Sequence, residues 1–466
     1  MQKNSTFADD FMQKVYDKNN EKLIKTSKKP KMLCITYGCQ ANVHDSEKIS
    51  GLLHEMGYEA CECEEEADII VYNTCCVREN AENKVYGHLG QVKKLKLENK
   101  DLKIVVCGCM VQQDVVIEKI KESYKFVDII FGTFNLHRLP ELLFSSMETG
   151  SQIIDIWQDA TEIVEDLPAI REHAFKASVN IMHGCDNFCS YCIVPYVRGR
   201  ERSRVPESII KEIEGLVKTG VVEVTLLGQN VNSYGKGLDG DITFAYLIKE
   251  VTKIVGLKRI RFMTSHPKDF SDELIEAIRD NDNICKSVHL PIQSGSTAVL
   301  ERMNRKYTKE SYLELVDKLR KAVPGIAITT DIITGFPYET DEDSEETIDV
   351  IKKVRYSGAF TFIYSKRTGT PAASMECQID EATTKRRFDK ILEVHNPIVY
   401  ELSKAHVGNV YEALAEEVSK NDDRLLTGRL DDNSIVHFEG DSSLIGKFVN
   451  VEIADCKTFY LVGKIV

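Results

Sequence analysis

Short apolar runs alternate with helix-periodic stretches along most of this chain, and that alternation narrows the possible folds more than any other feature. From Met32 to about Leu143 the runs are Met32–Tyr37, Asp68–Tyr72, Lys103–Val106 and Val127–Phe131. Between them, segments such as Ser46–Met56 and Glu79–Lys96 carry apolar residues at helical spacing. Alternation at this pitch predicts an N-terminal parallel α/β domain over residues 31–148. A polar connector follows from about Gly150 to Arg171. The alternation then repeats six times, with strands predicted at Ala177–Met182, Val222–Leu227, Arg259–Met263, Ser287–Leu290, Ile326–Ile333 and Ala359–Tyr364. Pro206–Lys218 and Lys309–Ala322 are the clearest helices. Six βα units over residues 171–400 fit a partial (βα)6 barrel, with a doubly wound sheet as the rival, and either fold puts functional groups at the carboxyl ends of the strands.

Both ends of the chain break the pattern. Residues 1–30 are polar and Lys-rich and read as a solvated arm with at most one short helix around Phe7 to Tyr16; a basic tail touching RNA is the rival reading. After Glu401 come the short runs Val410–Glu417, Leu425–Leu430, Ser434–Phe438, Phe448–Ile453 and Tyr460–Val466. Five short strands with polar turns predict a small β-barrel over residues 403–466.

The net charge of −13 argues against indiscriminate binding of nucleic acid or anionic membrane, though not against a local basic site. The N-terminus has no apolar signal region and no apolar run is long enough to span a bilayer, so a cytoplasmic protein without a membrane partner is expected. In such a compartment 14 cysteines suggest metal or redox chemistry rather than disulfides. Cys34, Cys107, Cys285, Cys377 and Cys456 read as small buried hydrophobes, and Cys61 and Cys63 as incidental surface thiols.

Gly184-Cys185-Asp-Asn-Phe-Cys189-Ser-Tyr191-Cys192 follows directly on the first strand of the second domain. Three thiolates in eight residues can cradle a [4Fe–4S] cluster and leave one iron without a protein ligand. That iron can chelate the amino and carboxylate groups of S-adenosylmethionine (SAM), and one electron then cleaves the sulfonium to a 5′-deoxyadenosyl radical. A zinc knuckle would want a fourth ligand nearby, and His183 stands at an unusual spacing for it.

Cys39, Cys75 and Cys109 each follow a predicted strand, at separations of about one βα unit. Parallel strands end on one edge of a sheet, so these thiols should converge. A second cluster with an open iron fits; zinc and three unrelated loop cysteines are the rivals. Cys76 beside Cys75 leaves the choice of ligand ambiguous, and the Asn73-Thr74-Cys75 context favours Cys75.

The run from Gly184 through Cys192-Ile-Val-Pro195-Tyr-Val-Arg198-Gly199-Arg200-Glu201-Arg202-Ser203-Arg204 closely resembles the signature of the radical SAM methylthiotransferases. The resemblance covers nearly the whole chain after the N-terminal arm. It implies a methylthiotransferase N-terminal domain, a radical SAM core and a C-terminal TRAM domain, and it matches Cys39, Cys75 and Cys109 to the family's auxiliary-cluster cysteines. It further implies two [4Fe–4S] clusters and SAM as cofactors. One SAM would methylate a sulfur held at the auxiliary cluster, and a second would supply the radical. The Arg200-Glu-Arg-Ser-Arg204 run and Asn73-Thr-Cys-Cys-Val-Arg78-Glu-Asn80-Ala look most like the branch that converts N6-(dimethylallyl)adenosine at position 37 of tRNA, beside the anticodon, to its 2-methylthio derivative. Branches acting on threonylcarbamoyl-adenosine or on a ribosomal-protein aspartate are the near rivals, and a non-catalytic iron–sulfur carrier or RNA-binding scaffold the distant one. The expected partners are a tRNA anticodon stem-loop and a low-potential flavodoxin- or ferredoxin-like donor, acting on a monomer.

Polar motifs at the predicted strand ends suggest SAM contacts from Tyr191, Gly228, Asn230, Ser265, Gln293 and Arg305. Arg198, Arg200, Arg202 and Arg204 alternate after the cysteines and suggest one extended face for RNA phosphates; a solvated basic turn is the alternative. In the acidic C-terminal region RNA would need a patch near Arg424, Arg429 and Lys447, with stacking on Phe438. Gly235-Lys-Gly237-Leu-Asp-Gly240 matches a dinucleotide fingerprint formally but joins no strand to a helix, and reads as a flexible loop.

Overall fold

The computed structural model describes residues 2–76, 79–159 and 163–466. It divides into two compact units, one of Met1–Glu172 with His183–Asp186 and Ile193–Arg202, the other of His173–Met182, Asn187–Cys192 and Ser203–Val466.

The first unit is built on six parallel strands: β1 (Lys31–Thr36), β2 (Glu59–Ala60), β3 (Ile69–Thr74), β4 (Lys103–Gly108), β5 (Ile129–Phe131) and β6 (Ile153–Asp155). Their order is β2-β1-β3-β4-β5-β6. The helices α1 (Gln2–Thr26), α2 (Gln40–Glu55), α3 (Glu79–Glu98), α4 (Asp114–Ser123) and α5 (Leu139–Thr149) accompany the sheet. All six residues of β3 are buried, as befits a central parallel strand covered on both faces. Its residues alternate between two cores: Ile69 and Val71 join Ile49, Leu52 and Leu143, while Ile70 and Tyr72 join Val85, Leu89 and Ile120.

Two expectations need correction here. The N-terminal 30 residues are not a loose arm, since α1 runs for 25 residues and docks on the domain. Val15 is fully buried, the Phe11 and Phe144 rings lie 5.7 Å apart, and buried Asn19 donates to the Met56 carbonyl at 2.8 Å. A stripe of three residues spaced three to four apart (Met12, Val15, Asn19) supplies this face, and the surrounding lysines hide it from a compositional reading. The connector after Gly150 likewise contains a strand, because Ile153-Ile154-Asp155 adds β6 to the sheet edge opposite Ile129–Phe131.

In the second unit β7 (Lys176–Asn180) is followed by two-residue strands, β8 (Met182–His183) and β9 (Arg202–Ser203), on either side of the cysteine segment. Next come β10 (Glu223–Leu227), β11 (Arg259–Phe262), β12 (Ser287–His289), β13 (Ala327–Thr334) and β14 (Gly358–Ile363). Two three-stranded parallel sheets, β11-β10-β7 and β12-β13-β14, are joined by a bridge between Ile260 and Ile284. The result is the open six-stranded array of a partial barrel. Between the two-residue strands lies α6 (Val194–Arg198), which belongs to the first unit, and α7 (Pro206–Lys218) follows β9. Pro206 stands in the first turn of α7, where its missing N–H costs nothing.

The C-terminal strands β15 (Val410–Val418), β16 (Leu425–Arg429), β17 (Ile435–Glu439), β18 (Phe448–Cys456) and β19 (Leu461–Ile465) form a closed barrel in the order β15-β16-β17-β19-β18. Phe438 is fully buried in its core with Val436, Val451 and Leu461, so it is not a stacking surface for RNA. The barrel is fastened to the amino ends of the core strands. Arg259 donates to the carbonyls of Arg429 and Glu412, both at 2.8 Å, and its guanidinium covers the Phe448 ring. Arg261 donates to the carbonyls of Leu430 and Asp431 and lies 3.2 Å from the buried Glu223 carboxylate. Cys107, Cys285 and Cys456 are buried, Cys34, Cys61 and Cys63 are half-buried, and Cys377 is exposed, contrary to expectation. Among the described residues no helix is long and apolar enough to cross a membrane.

Arg261→Ala removes the partner of a buried carboxylate and two carbonyl contacts. It should destabilise this unit by about 3 kcal/mol, measured as a lowered urea midpoint. Arg279→Ala, which breaks only an exposed pair with Asp280, should leave the midpoint where it is.

Candidate functional site

In the first unit the register of three adjacent strands brings the predicted cysteines to one edge. Thr36 lies opposite Asn73, and Thr74 opposite Gly108. Tyr37 N–H extends the first pairing to the Asn73 carbonyl, and Cys109 N–H extends the second to the Thr74 carbonyl, both at 2.8 Å. Cys75 and Cys109 therefore leave neighbouring strands at the same level. Cys39 stands at the N-cap of α2, one residue past a glycine pressed against Cys75. A Cβ on Gly38 would lie 2.9 Å from the Cys75 Cβ, so the close approach demands glycine there.

A buried amide pair sets these loops. Asn42 donates to the Asn73 side chain and to the Thr74 carbonyl, at 3.1 and 3.2 Å. Asn73 donates back to the Asn42 carbonyl and to Ser46 Oγ, at 2.8 and 2.9 Å. Cys39 Sγ lies 3.4 Å from Asn42 Oδ1. Gly108 has φ of +96°, and a Cβ there would fall 2.4 Å from the Thr74 carbonyl oxygen.

Cys75, Cys76 and Cys109 are all nearly inaccessible, whereas Cys39 is exposed. The Cys76 thiol hydrogen-bonds Cys109, which holds the Cys109 thiol below its ordinary range and Cys76 well above its own. Arg198 adds to the first effect: its Nε donates to Cys109 Sγ at 3.2 Å and its Nη2 to Asp45 at 2.7 Å. A thiolate ligand needs such positive surroundings, so this donor set fits an iron–sulfur group. Among the described residues no three Cys, His, Asp or Glu side chains are set to hold a single metal ion; a four-iron cube takes its thiolates at separate corners.

The other cysteine set sits on a clasped loop. Gly184 has φ of +74°, and a Cβ there would lie 2.0 Å from the Arg200 carbonyl. Next to it, Cys185 N–H donates to the Gly199 carbonyl at 3.2 Å. In the second unit Ser190 Oγ donates to the Arg302 carbonyl at 2.7 Å, and Asn304 Nδ2 to the Phe188 carbonyl at 2.9 Å. Arg305, almost wholly buried, donates to Cys189 Sγ at 3.4 Å, to Tyr307 Oη at 2.9 Å and to the Pro291 carbonyl at 3.1 Å. Tyr191 is half-buried beside this group, its phenol pushed well above the ordinary range by burial.

Around the carboxyl ends of the core strands several polar atoms are buried without a hydrogen-bond partner. They include Ser265 Oγ, Thr334 Oγ1, Gln229 Oε1, Tyr364 Oη and both ends of the Asn232 amide. Buried polar groups are rarely left unsatisfied, so such a ring fits a polar ligand. Thr264 and Gln293 both have φ of +69° here, the local strain that binding sites carry. His266 is neutral, its pKa driven down to about 2 by burial and by Arg305 and Lys268.

Other expected contacts are engaged within the chain. Asn230 donates to Asp269 at 2.7 Å and accepts from His266 N–H at 3.1 Å, so it braces the loop after β11. Gly228 makes room for Met182, whose Cγ would lie 2.5 Å from a Cβ there. The four arginines do not share an extended face. Arg198 ends a helix and is buried against Cys109; Arg204 is buried, donating to the Asn180 carbonyl and to Glu212, both at 2.7 Å. Arg202 lies half-buried over the Phe134 ring, and only Arg200 is exposed, beside Asp186. Arg429 is held by Glu416 and Asn433. Arg424 pairs with Asp422, and Lys447 is exposed. Val77 and Arg78 lie outside the described residues. Sequence reasoning missed the Asn42–Asn73 pair and the inward role of Arg198; a charged residue directly between a proline-started turn and a glycine was the available signal for the last.

Three family models match the chain: an uncharacterized protein family, UPF0004, over residues 31–132, the radical SAM superfamily over 179–351, and the TRAM domain over 404–466. The fold is likewise similar to a solved radical S-adenosylmethionine methyltransferase, TsrM, from Kitasatospora setae, at a TM-score of 0.53 and 14% identity, covering 74% of each chain. These define the class as a radical SAM protein with an N-terminal α/β domain and a C-terminal TRAM barrel. The tRNA-2-methylthio-N(6)-dimethylallyladenosine synthase of Acetivibrio thermocellus is 54% identical, covering 98% of this chain and 95% of its own. The synthase of the same name from Clostridioides difficile is 52% identical over 98% and 96%. The chain belongs to the family of these synthases.

Gly108→Ala forces a side chain onto the Thr74 carbonyl and displaces Cys109. After anaerobic reconstitution the variant should lose about half of the bound iron, while Gly87→Ala, at a position with open space around it, should keep all of it.

Proposed function

We propose that this protein converts N6-(dimethylallyl)adenosine at position 37 of tRNA to its 2-methylthio derivative, with two [4Fe–4S] clusters and SAM. The observation that carries the reading is the pair of cysteine triplets, one on a loop beside the core strands and one at a single sheet edge of the first unit. Cys185, Cys189 and Cys192 would hold the cluster that binds SAM, and Cys39, Cys75 and Cys109 the auxiliary cluster. When bound, the first group supplies the electron that generates a radical from SAM, and the second holds the sulfur to be transferred.

The chain's own residues prepare these sites. Arg305 presents a buried positive charge at Cys189, where it offsets a thiolate. Ser265, Gln229, Asn232 and Thr334 offer unfilled donors and acceptors to the polar parts of SAM, with Gln293 and Tyr191 beside them. Asn230 and Gly228 act indirectly, as brace and packing site. An adenosine in the anticodon loop can leave its stack, as unpaired RNA bases do when read by proteins. Arg200 is exposed next to the cysteine loop and suits an RNA phosphate, and the TRAM barrel offers Lys447. The division at 31–148, 171–400 and 403–466, with α1 packed on the first of these parts, the flavodoxin- or ferredoxin-like donor, the monomeric state and the cytoplasmic location belong to the same reading.

Three measurements test it. Reconstituted protein with SAM and a reductant should form 5′-deoxyadenosine; none formed sinks the enzymatic reading and favours a carrier or scaffold. Cys109→Ala should lose about one cluster's iron and still cleave SAM, whereas Cys189→Ala should abolish cleavage. Nucleosides from tRNA of a strain lacking the gene should contain the dimethylallyl form without the 2-methylthio form, and accumulation of unmodified threonylcarbamoyl-adenosine instead would transfer the assignment to that substrate.

A further inference from the structure

The segment that follows the first cysteine triplet also touches the second. Within the first unit, α6 ends at Arg198, whose guanidinium reaches Cys109 Sγ at 3.2 Å and Asp45 at 2.7 Å. The next residue, Gly199, receives the Cys185 N–H on its carbonyl at 3.2 Å. Two consecutive residues thus grip one cysteine from each triplet.

Several features hold this clasp in place. Thr133 Oγ1 donates to the Val197 carbonyl at 2.8 Å, and Ile193 and Val197 pack in a small buried cluster with Cys76 and Cys109. Gly199 has φ of +73°, and a Cβ there would stand 3.2 Å from the Phe134 ring. Arg198 is 6% exposed, and a charge so buried persists only with strong partners. Asp45 supplies one, on the second turn of α2, the helix that begins at Cys39. The same guanidinium therefore joins a residue of the Cys39 helix to the sulfur of Cys109, using separate nitrogens of its rigid fork. A lysine could keep the charge but not both directions at once.

We propose that Arg198 is a positioning residue of the auxiliary site: it fixes Cys109 relative to the Cys39 helix and sets the reduction potential of the cluster bound there. The proposal rests on the reading that Cys109 is a cluster ligand. Hydrogen bonds and positive charge at ligand sulfur stabilise the more reduced, more negative state of an iron–sulfur group, so this donor raises the potential. The grip of Gly199 on Cys185 means that the same short segment fixes the backbone at the first triplet.

The test uses full-length protein in which Cys185, Cys189 and Cys192 are all replaced by Ala, leaving only the auxiliary site. It is reconstituted anaerobically with iron and sulfide, and Arg198, R198K and R198Q forms are compared for iron per chain, thermal unfolding and midpoint potential followed by electron paramagnetic resonance. The expected result is a more negative midpoint for R198Q with a changed spectrum, and a smaller shift for R198K. Loss of iron from R198Q, retained in R198K, equally supports the proposal. An R198Q midpoint and spectrum identical to those with Arg198 would overturn it, as would an equal fall in unfolding temperature and iron content in both variants, which marks a purely structural role. In the same background Cys109→Ala should bind no cluster; if it binds one, the ligand assignment fails instead, whatever Arg198 does.

Discussion

Because β1, β3 and β4 run parallel as neighbours in register, the loops that leave them begin at one edge and one level. Everything at the candidate auxiliary site depends on that constraint. Three cysteines separated by more than thirty residues each are brought together by backbone hydrogen bonds, without any contact among themselves being needed to do it. The glycines at 38 and 108 then let the backbones approach closely enough for the thiols to follow, and the Asn42–Asn73 amide pair locks two of the loops together.

A second theme is the placing of one buried arginine at each cysteine triplet. Arg198 donates to Cys109 and Arg305 to Cys189, both from nearly inaccessible positions. A desolvated guanidinium needs an anionic or strongly polar counterpart, and a thiolate supplies it. Arg198 has Asp45 as a further counter-charge, while Arg305 leans on the Pro291 carbonyl and the Tyr307 hydroxyl as well as on Cys189. At Arg198 the cation and the Cys109 sulfur stabilise each other's charged forms.

Arginines also anchor the opposite end of the core strands. Arg259 and Arg261 spend their guanidinium donors on backbone carbonyls of the small barrel rather than on RNA. This helps explain how a TRAM barrel rich in acidic residues is retained: its attachment satisfies main-chain acceptors, which are insensitive to the charge of the side chains around them.

Much of this was legible in the sequence. The strand–helix alternation pointed to parallel sheets because continuous apolar runs and period-3.6 patterns are local, and they placed most strand ends within two residues. Cysteine spacing located both triplets, since the distance between parallel strand ends is one βα unit along the chain. What remained hidden depends on direction and partner rather than on spacing. A sparse apolar stripe in a lysine-rich segment became α1, and a three-residue run became β6, only because a hydrophobic face and a sheet edge were waiting for them. Four arginines at alternate positions read alike in one dimension, yet the fold aims them at a thiol, a buried carbonyl, a ring and a surface carboxylate. The sequence alone determined which cysteines stand at strand ends and which family the chain resembles; the tertiary structure decided which charges turn inward, because burial of a cation depends on acceptors brought from distant parts of the chain.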